Sequence, residues 1–396
     1  MNKLKELFNQ YISSDIKSHI LKITHTYLDA GYECWIVGGP VRDLLLNHSP
    51  KDIDFATNCP LEVTKTLFAS VIPTGEDHGT LTIHLDGENY EVTRYRKDVD
   101  TDGRRATIEY AETIQEDVLR RDLTVNAIAF NPITDEIVDA VGGMEDFNNK
   151  VLRFVGKAED RVLEDHLRFI RLLRFKVKLD FILDKNIIID AKEVFDVTKL
   201  SYERIYDEIG KILDLDLTID DKEFIIGSLN GVMMFDYLFN KTQTSNIIIR
   251  EIFETESLYP IIYHNGWEPT FKLSSEYKKM NELFNSINVC VDLSEIGMKK
   301  LLKKSKKDFN IVMKVLKLHS YYNGSDLSKS IDTLENVKSE PLLISDLAIN
   351  GNDLIGIGLK GKKIGETLEY ILNMIYEFPE KNKKTYILEY IKSKIS

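Results

Sequence analysis

A four-residue apolar run, Cys34-Trp35-Ile36-Val37, stops at two glycines, Gly38-Gly39, and Asp52-Ile53-Asp54-Phe55-Ala56 follows shortly after. The run reads as a strand entering a tight turn, and Val41 to Leu46 reads as the start of a helix. The second segment alternates polar and apolar residues, which predicts a second strand. Side chains repeat every two residues on a strand, so Asp52 and Asp54 are expected on one side of it. A strand, a glycine turn and two like-facing carboxylates confine this part of the chain to a sheet with a charged site at the glycine turn.

The neighbouring sequence extends that sheet. Thr80 to Leu85 leads through Asp86-Gly87 into Tyr90 to Arg96, a hairpin signal. Residues 97–113 are polar and read as a loop containing Asp98, Asp100, Asp102, Gly103, Arg104 and Arg105. Residues 1–30 carry Leu4, Leu7, Phe8, Tyr11 and Ile12 at helical spacing. After Gly142-Gly143 the strand signals nearly stop, and residues 158–178, 199–214 and most of 220–396 are periodic as helices. The fold class expected is α+β, an N-terminal head of about 150 residues followed by helical units.

With 396 residues the chain exceeds one ordinary core and suits about two to four domains. Hydrophobic residues are 43% and charged residues 29%, a globular composition. No apolar run reaches the roughly 18 residues of a membrane span, and Met1 to Gln10 lacks a signal-peptide core, so a cytoplasmic protein is expected. Cys34, Cys59 and Cys290 are far apart and suggest neither a disulfide framework nor a zinc site. The net charge of −12 argues mildly against a nucleic-acid partner. Its distribution matters more, because basic residues cluster at Arg168 to Lys178, Lys299 to Lys307 and Lys381 to Lys394. His264 and His319 are isolated and read as structural.

Asp52 and Asp54 suit a hard divalent cation such as Mg2+, which prefers carboxylate and phosphate oxygens. Two such ions about 4 Å apart activate an attacking hydroxyl and stabilise leaving oxygens in nucleotidyl transfer. Glu91, in the hairpin strand, is the candidate third carboxylate. Gly38 and Gly39 let backbone N–H groups approach phosphate oxygens, and the forked guanidinium of Arg42 suits a phosphate. A solvated pair of aspartates beside a plain turn is the alternative, which the combined spacing disfavours.

Two arginine-rich segments follow. In Arg120-Arg121-Asp122, Arg121 suits phosphate, while Asp122 and Asn126 suit ribose hydroxyls; a surface charge network is the alternative. From Glu164, the residues Asp165, Arg168, Arg171 and Arg174 step by three along an expected helix, and such a stripe drifts by about 60° per step. Asp165 and Arg168 are then close neighbours. Asp165 can accept from the amino group of cytosine or adenine, and Arg168 can donate to the adjacent ring nitrogen. Guanine and uracil would oppose acceptor to acceptor, a mismatch of roughly 1–3 kcal/mol or more. Such a pair selects C and A without a template strand. A solvated ion pair, worth under about 0.5 kcal/mol, is the alternative.

Taken together, Gly38 to Asp43 with Asp52 to Asp54, Arg120 to Ala127 and Glu164 to Phe175 resemble the polymerase beta nucleotidyltransferase superfamily in its class II tRNA nucleotidyltransferase (CCA-adding) and poly(A) polymerase branch. The resemblance implies a small mixed sheet with two metal-binding aspartates. It further implies an Arg121 motif on the sugar and triphosphate of the nucleotide, and an Asp165–Arg168 amino-acid template. Arg171 and Arg174 then serve the triphosphate or stabilise the helix. Leu200 to Arg204 with Glu208 resembles the family motif that buttresses the selecting helix, and Ser201 also suits a helix cap. Pro73 to Thr82 resembles the CCA-adding rather than the poly(A)-adding pattern, and the full-length stretch 97–111 favours addition of the final A.

The implied organisation is a catalytic head at 1–150, a neck at 151–215, a body at 216–340 and a tail at 341–396. Ser345 to Leu354 and Lys360 to Gly365 resemble the tRNA-binding end, with Lys360, Lys362 and Lys363 as candidate phosphate contacts. The expected activity is addition of CCA to the tRNA 3′ end from CTP and ATP with Mg2+. An A-adding or CC-adding enzyme, a poly(A) polymerase, and a non-catalytic RNA-binding protein of the same fold are the alternatives.

Overall fold

The structure is a computed structural model that describes residues 3–101, 106–232, 293–323 and 326–395 and the single positions 234, 252, 282 and 283. Asp102 to Arg105, His264 and Cys290 lie outside the described residues. The chain divides into two compact units, Met1–Thr242 and Gln243–Ser396.

The first unit is built on a seven-stranded mixed sheet. Its strands are β1 (Cys34–Val37), β2 (Asp54–Thr57), β3 (Val71–Gly75), β4 (Thr80–Leu85), β5 (Glu88–Arg94), β8 (Ala129–Phe130) and β9 (Ile137–Val138). They run in the order β3-β4-β5-β2-β1-β8-β9. All neighbours are antiparallel except β2 and β5, which are parallel.

Strand alternation gives the sheet two apolar faces. Cys34, Ile36, Phe55, Tyr90 and Val92 pack with Leu4 and Phe8 of α1 (Lys3–Tyr11) and Ile20, Ile23 and Tyr27 of α2 (Ser14–Asp29). Ser13 separates those helices and caps the second, its hydroxyl accepting from Ile16 N. Trp35, Val37, Ala56 and Ala129 form the opposite face with Ile114 and Val118 of α5 (Ile114–Leu119). Asp54 alternates with Phe55, and Glu91 with Tyr90 and Val92, so both carboxylates share the α5 side. The remaining helices here are α3 (Gly39–Leu45), α4 (Leu61–Leu67) and α6 (Gly143–Asn149).

Residues 97–113 depart from the loop expectation. β6 (Arg96–Thr101) and β7 (Ala106–Tyr110) form an antiparallel pair, a two-stranded ribbon. Beyond the sheet, β10 (Val151–Leu152) and β11 (Ile182–Leu183) pair in parallel. They accompany α7 (Ala158–Glu164), α8 (Leu167–Leu179), α9 (Ile187–Val194), α10 (Tyr202–Leu213) and α11 (Ile219–Asn230).

Among its described residues, the second unit is helical. Met298 and Leu302 of α12 (Glu295–Lys304), Val312 and Leu316 of α13 (Phe309–Asn323), and Leu334 and Val337 of α14 (Leu327–Val337) share one core. Leu354 of α15 (Gly351–Gly356) packs with Leu368, Ile371 and Ile375 of α16 (Lys362–Glu377) and Ile387 and Ile391 of α17 (Lys384–Ile395). Three of the six lysines at 299–307 are bonded within the unit. Lys299 is buried, donates to the Tyr376 carbonyl at 2.7 Å and pairs with Glu340. Lys303 pairs with Glu369 and Lys307 with Asp346. No helix among the described residues is long and apolar enough to cross a membrane.

Candidate active site

The glycine turn is where strand, helix and arginine motif meet. Gly38 follows β1 and caps α3 at φ 73°, ψ −123°, a conformation that strains any residue with a Cβ. A Cβ there would also lie 2.8 Å from Arg121 Nη1. Arg121 therefore lies against the turn only because the residue is glycine.

Arg121 is aimed by a residue that the motif reading passed over. Asp117 on α5 is fully buried and accepts from Arg121 Nη2 at 3.0 Å and from Arg120 Nε and Nη2 at 3.0 and 2.8 Å. Burial opposes its ionisation, but the two guanidiniums outweigh it and lower its pKa. Its signal was in the sequence, since 117 stands three and four residues before 120 and 121, the spacing of helical ion pairs. The Nε of Arg121 is buried without a hydrogen-bond acceptor among the described residues.

The two aspartates differ in setting. Asp54 opens β2, half-buried and in register with Glu91 across the parallel pair. Asp52 lies two residues before the strand and is exposed, not on the strand as its spacing predicts, because pairing of β2 begins at Asp54. Burial, then Glu91, then Asp52 push the Asp54 carboxyl up to about 6, against the opposing charge of Arg121. That is concentrated negative potential on oxygen donors, the setting a hard divalent cation relieves. Among the described residues no three acidic, histidine or cysteine side chains are gathered as a ready metal cage.

Arg42, Asn126 and Asp122 are buried. The Nε and Nη2 of Arg42 donate to Asp43, and its Nη1 donates to Asn126 Oδ1 at 2.7 Å. Asn126 Nδ2 donates to Asp122 Oδ1 at 3.2 Å, and Asp122 Oδ2 accepts from Arg171 Nε and Nη2 at 2.8 and 2.7 Å. These groups are bonded to one another, and Arg42 and Asn126 each keep further N–H donors. The chain of bonds ties the glycine turn to α8. Burial opposes ionisation of Asp122, yet Arg171 and the Leu123 N–H hold its pKa far below the usual carboxylate range.

The segment from Glu164 is two helices rather than one. α7 ends at Glu164, Asp165 takes an extended conformation, and α8 begins at Leu167. Asp165 Oδ1 accepts from Leu167 N at 3.1 Å, and Oδ2 accepts from Arg204 Nη2 of α10 at 2.8 Å. Arg168 does not pair with the Asp165 carboxylate. It donates to Glu164 Oε2 at 2.5 Å and to the Arg120 carbonyl at 3.0 Å, fastening α8 to the arginine motif. Arg174 pairs with the buried Glu208 of α10. The guanidiniums of Arg42, Arg171 and Arg174 lie 5.1, 5.6 and 4.4 Å from the Phe175 ring centre, a cation–π cluster that periodicity does not reveal. In the second unit, Lys360, Lys362 and Lys363 are exposed around Gly361, which starts α16 at φ 58°.

Comparison with known proteins decides the family. Residues 34–153 match the poly A polymerase head domain. The CCA-adding enzyme of Streptococcus thermophilus is 31% identical, covering 97% of this chain and 98% of its own. The chain belongs to the CCA-adding enzymes. That of Lactobacillus johnsonii is 32% identical over 92% of this chain and 94% of its own. Two solved structures share the fold. The Bacillus stearothermophilus CCA-adding enzyme in complex with CTP has a TM-score of 0.60 at 24% identity, covering 97% of this chain and 99% of its own. The Thermotoga maritima CCA-adding enzyme complexed with tRNA has a TM-score of 0.54 at 20% identity, covering 99% and 98%. As a CCA-adding family member this chain is a tRNA nucleotidyltransferase, and its family implies use of a divalent metal.

Proposed function

We propose that this chain adds C, C and A to the 3′ end of tRNA from CTP and ATP, releasing pyrophosphate, with Mg2+ at Asp52 and Asp54. The observation that carries the reading is the convergence of Asp54, Gly38 and Arg121: a crowded carboxylate, a strained glycine turn and a guanidinium with a spare buried donor. Its support from outside the chain is the full-length likeness to CCA-adding enzymes, of which solved examples hold CTP, ATP and tRNA.

When bound, the metal supplies charge neutralisation at the triphosphate and activation of the attacking hydroxyl. Asp52 and Asp54 hold it, and Glu91 keeps the potential around Asp54 negative. Backbone N–H groups of Gly38 and Gly39 and the side chain of Arg121 take phosphate oxygens. Arg42, Asn126, Asp122 and Arg171 act behind them, fixing the turn and α8 to each other. Asp165 accepts from the amino group of the incoming base, held in place by Arg204, and Arg168 donates to the ring nitrogen from its seat on Glu164. Each carboxylate oxygen of Asp165 has a second lone pair for that purpose. Head 1–150, neck 151–215, body 216–340 and tail 341–396 complete the proposed partition, with Lys360, Lys362 and Lys363 on the tRNA backbone.

The test is incorporation from labelled CTP or ATP, with Mg2+, into tRNA transcripts ending one, two or three nucleotides short of the mature 3′ end. Ordered use of both nucleotides supports the reading. Incorporation from CTP alone identifies a CC-adding enzyme. Incorporation from ATP alone identifies an A-adding enzyme or, where the tail grows past one residue, a poly(A) polymerase. No incorporation leaves an RNA-binding protein.

A further inference from the structure

Between Asp165 and the first turn of α8 stands a buried imidazole, His166. Its Nδ1 accepts from the Asp196 N–H at 3.1 Å. Its ring meets Phe195 edge to face, with centroids 6.0 Å apart and planes at 79°. Phe195 in turn lies 5.0 Å from the ring of Phe169 on α8. A ring that accepts at Nδ1 is neutral and carries its proton on Nε2. Burial favours that form by lowering the imidazole pKa, with Lys199 acting in the same direction and Asp196 and Asp165 against it.

Asp196 belongs to a stretch that reaches Asp165 a second time. Its carboxylate accepts from Thr198 N at 2.9 Å and caps the short 3₁₀ turn Val197–Lys199. The turn leads to Ser201, whose hydroxyl caps α10 by accepting from Arg204 N. Arg204 Nη2 then donates to Asp165 Oδ2 at 2.8 Å. The stretch Asp196 to Arg204 thus fastens two consecutive residues of the α7–α8 break. Arg204 holds the Asp165 side chain at its tip. His166 holds the backbone beside it, where the chain passes from extended at Asp165, φ −155° and ψ 106°, to helical at His166, φ −58° and ψ −21°. An aspartate is short, so its carboxylate moves with its backbone, and a site that reads hydrogen bonds depends on such supporting contacts.

We propose that His166 is a positioning residue for nucleotide choice: by accepting from the Asp196 N–H it sets the backbone from which Asp165 meets the base. The proposal rests on the reading of Asp165 as the base-selecting carboxylate. It adds a residue that touches neither base nor phosphate and acts through Asp165.

The experiment is steady-state kinetics of the full chain with CTP or UTP, Mg2+ and a tRNA transcript lacking its 3′ CCA. His166→Phe keeps a ring for Phe195 but offers no acceptor. His166→Gln moves the acceptor outward, and His166→Asn keeps one near the place of Nδ1. The ratio of kcat/KM for CTP to that for UTP should fall about 3- to 30-fold in His166→Phe and in His166→Gln, so either serves where the other does not fold. It should stay within about twofold of wild type in His166→Asn. Added to Asp165→Ala, His166→Phe should change the ratio by less than about twofold, because both act through one carboxylate. A residue that only supports the fold would lower kcat/KM for CTP and UTP alike. That equal loss, a relaxed ratio in His166→Asn, or additive effects in the double variant would overturn the proposal. Wild-type ratios in Asp165→Ala would refute the base-selection reading itself. A shifted ratio in Asp165→Ala with a wild-type ratio in His166→Phe would refute only the role of His166.

Discussion

The Asp165 carboxylate is held at 2.8 Å by Arg204 of α10, while Arg168, three residues away, is held at 2.5 Å by Glu164. The two groups proposed to read the base are thus each positioned by a different partner. A pair bonded to itself would have to break before touching a nucleotide. This arrangement leaves both residues in place and each with hydrogen-bonding capacity to spare.

Asp165→Ala should relax discrimination against UTP and GTP more than it raises the KM for triphosphate. Arg204→Gln should shift choice in the same direction by losing one bond to a charged group, about 1.5–3 kcal/mol or roughly 10- to 100-fold. Measuring kcat/KM for all four nucleotides checks both, and unchanged ratios in Asp165→Ala would remove the template assignment.

Asp54→Asn should abolish incorporation at any Mg2+ concentration. It should also change how metal-free stability depends on pH. The folded carboxyl titrates near 6, above its ordinary value of 3.8, so the folded state retains the proton more strongly than the unfolded chain. Stability from this group is therefore lost as pH rises from about 4 to about 6. The asparagine variant should lack that decline, seen as a Tm gain at pH 8 that is absent at pH 4.

Asp122→Asn removes a carboxylate bonded by Arg171 and Asn126 and should cost about 1.5–3 kcal/mol. The sign with pH is opposite to that of Asp54. A pKa held far below the usual range contributes stability above the ordinary carboxylate pKa and loses it as pH falls below that point. The wild type should thus converge on the variant on acidification, read from denaturant midpoints between pH 7 and pH 2.

Gly38→Ala meets both strain and Arg121, so a stability cost of about 1–3 kcal/mol should come with a raised KM for triphosphate. Gly31→Ala is the comparison, because its φ is also positive, at 83°, but its surroundings are open. Equal kinetics in the two variants would mean that Arg121 does not work against the turn.

The sheet was legible wherever alternation ran long enough to show. β2 follows from it, β1 from its apolar run and β4 and β5 from the hairpin turn between them, whereas β8 and β9 are two residues each and carry no period. Asp52 misled because spacing cannot show where pairing begins. The break at Asp165 has no proline or glycine to announce it; it comes from the side chain capping Leu167, a bond that helical periodicity conceals. Residues 97–101 looked like loop because the strand they pair with belongs to a two-stranded ribbon separate from the main sheet. The burial of Lys299 needed the Tyr376 carbonyl, 77 residues away, to be seen at all.

Position 126 joins a group that only donates, the Arg42 guanidinium, to one that only accepts, the Asp122 carboxylate. A neutral amide is the side chain that answers both at once, so asparagine serves there as an adaptor between opposite polarities. An aspartate would set two anions face to face and a leucine would answer neither, which leaves the turn and the selecting helix free to drift apart whenever that amide is lost.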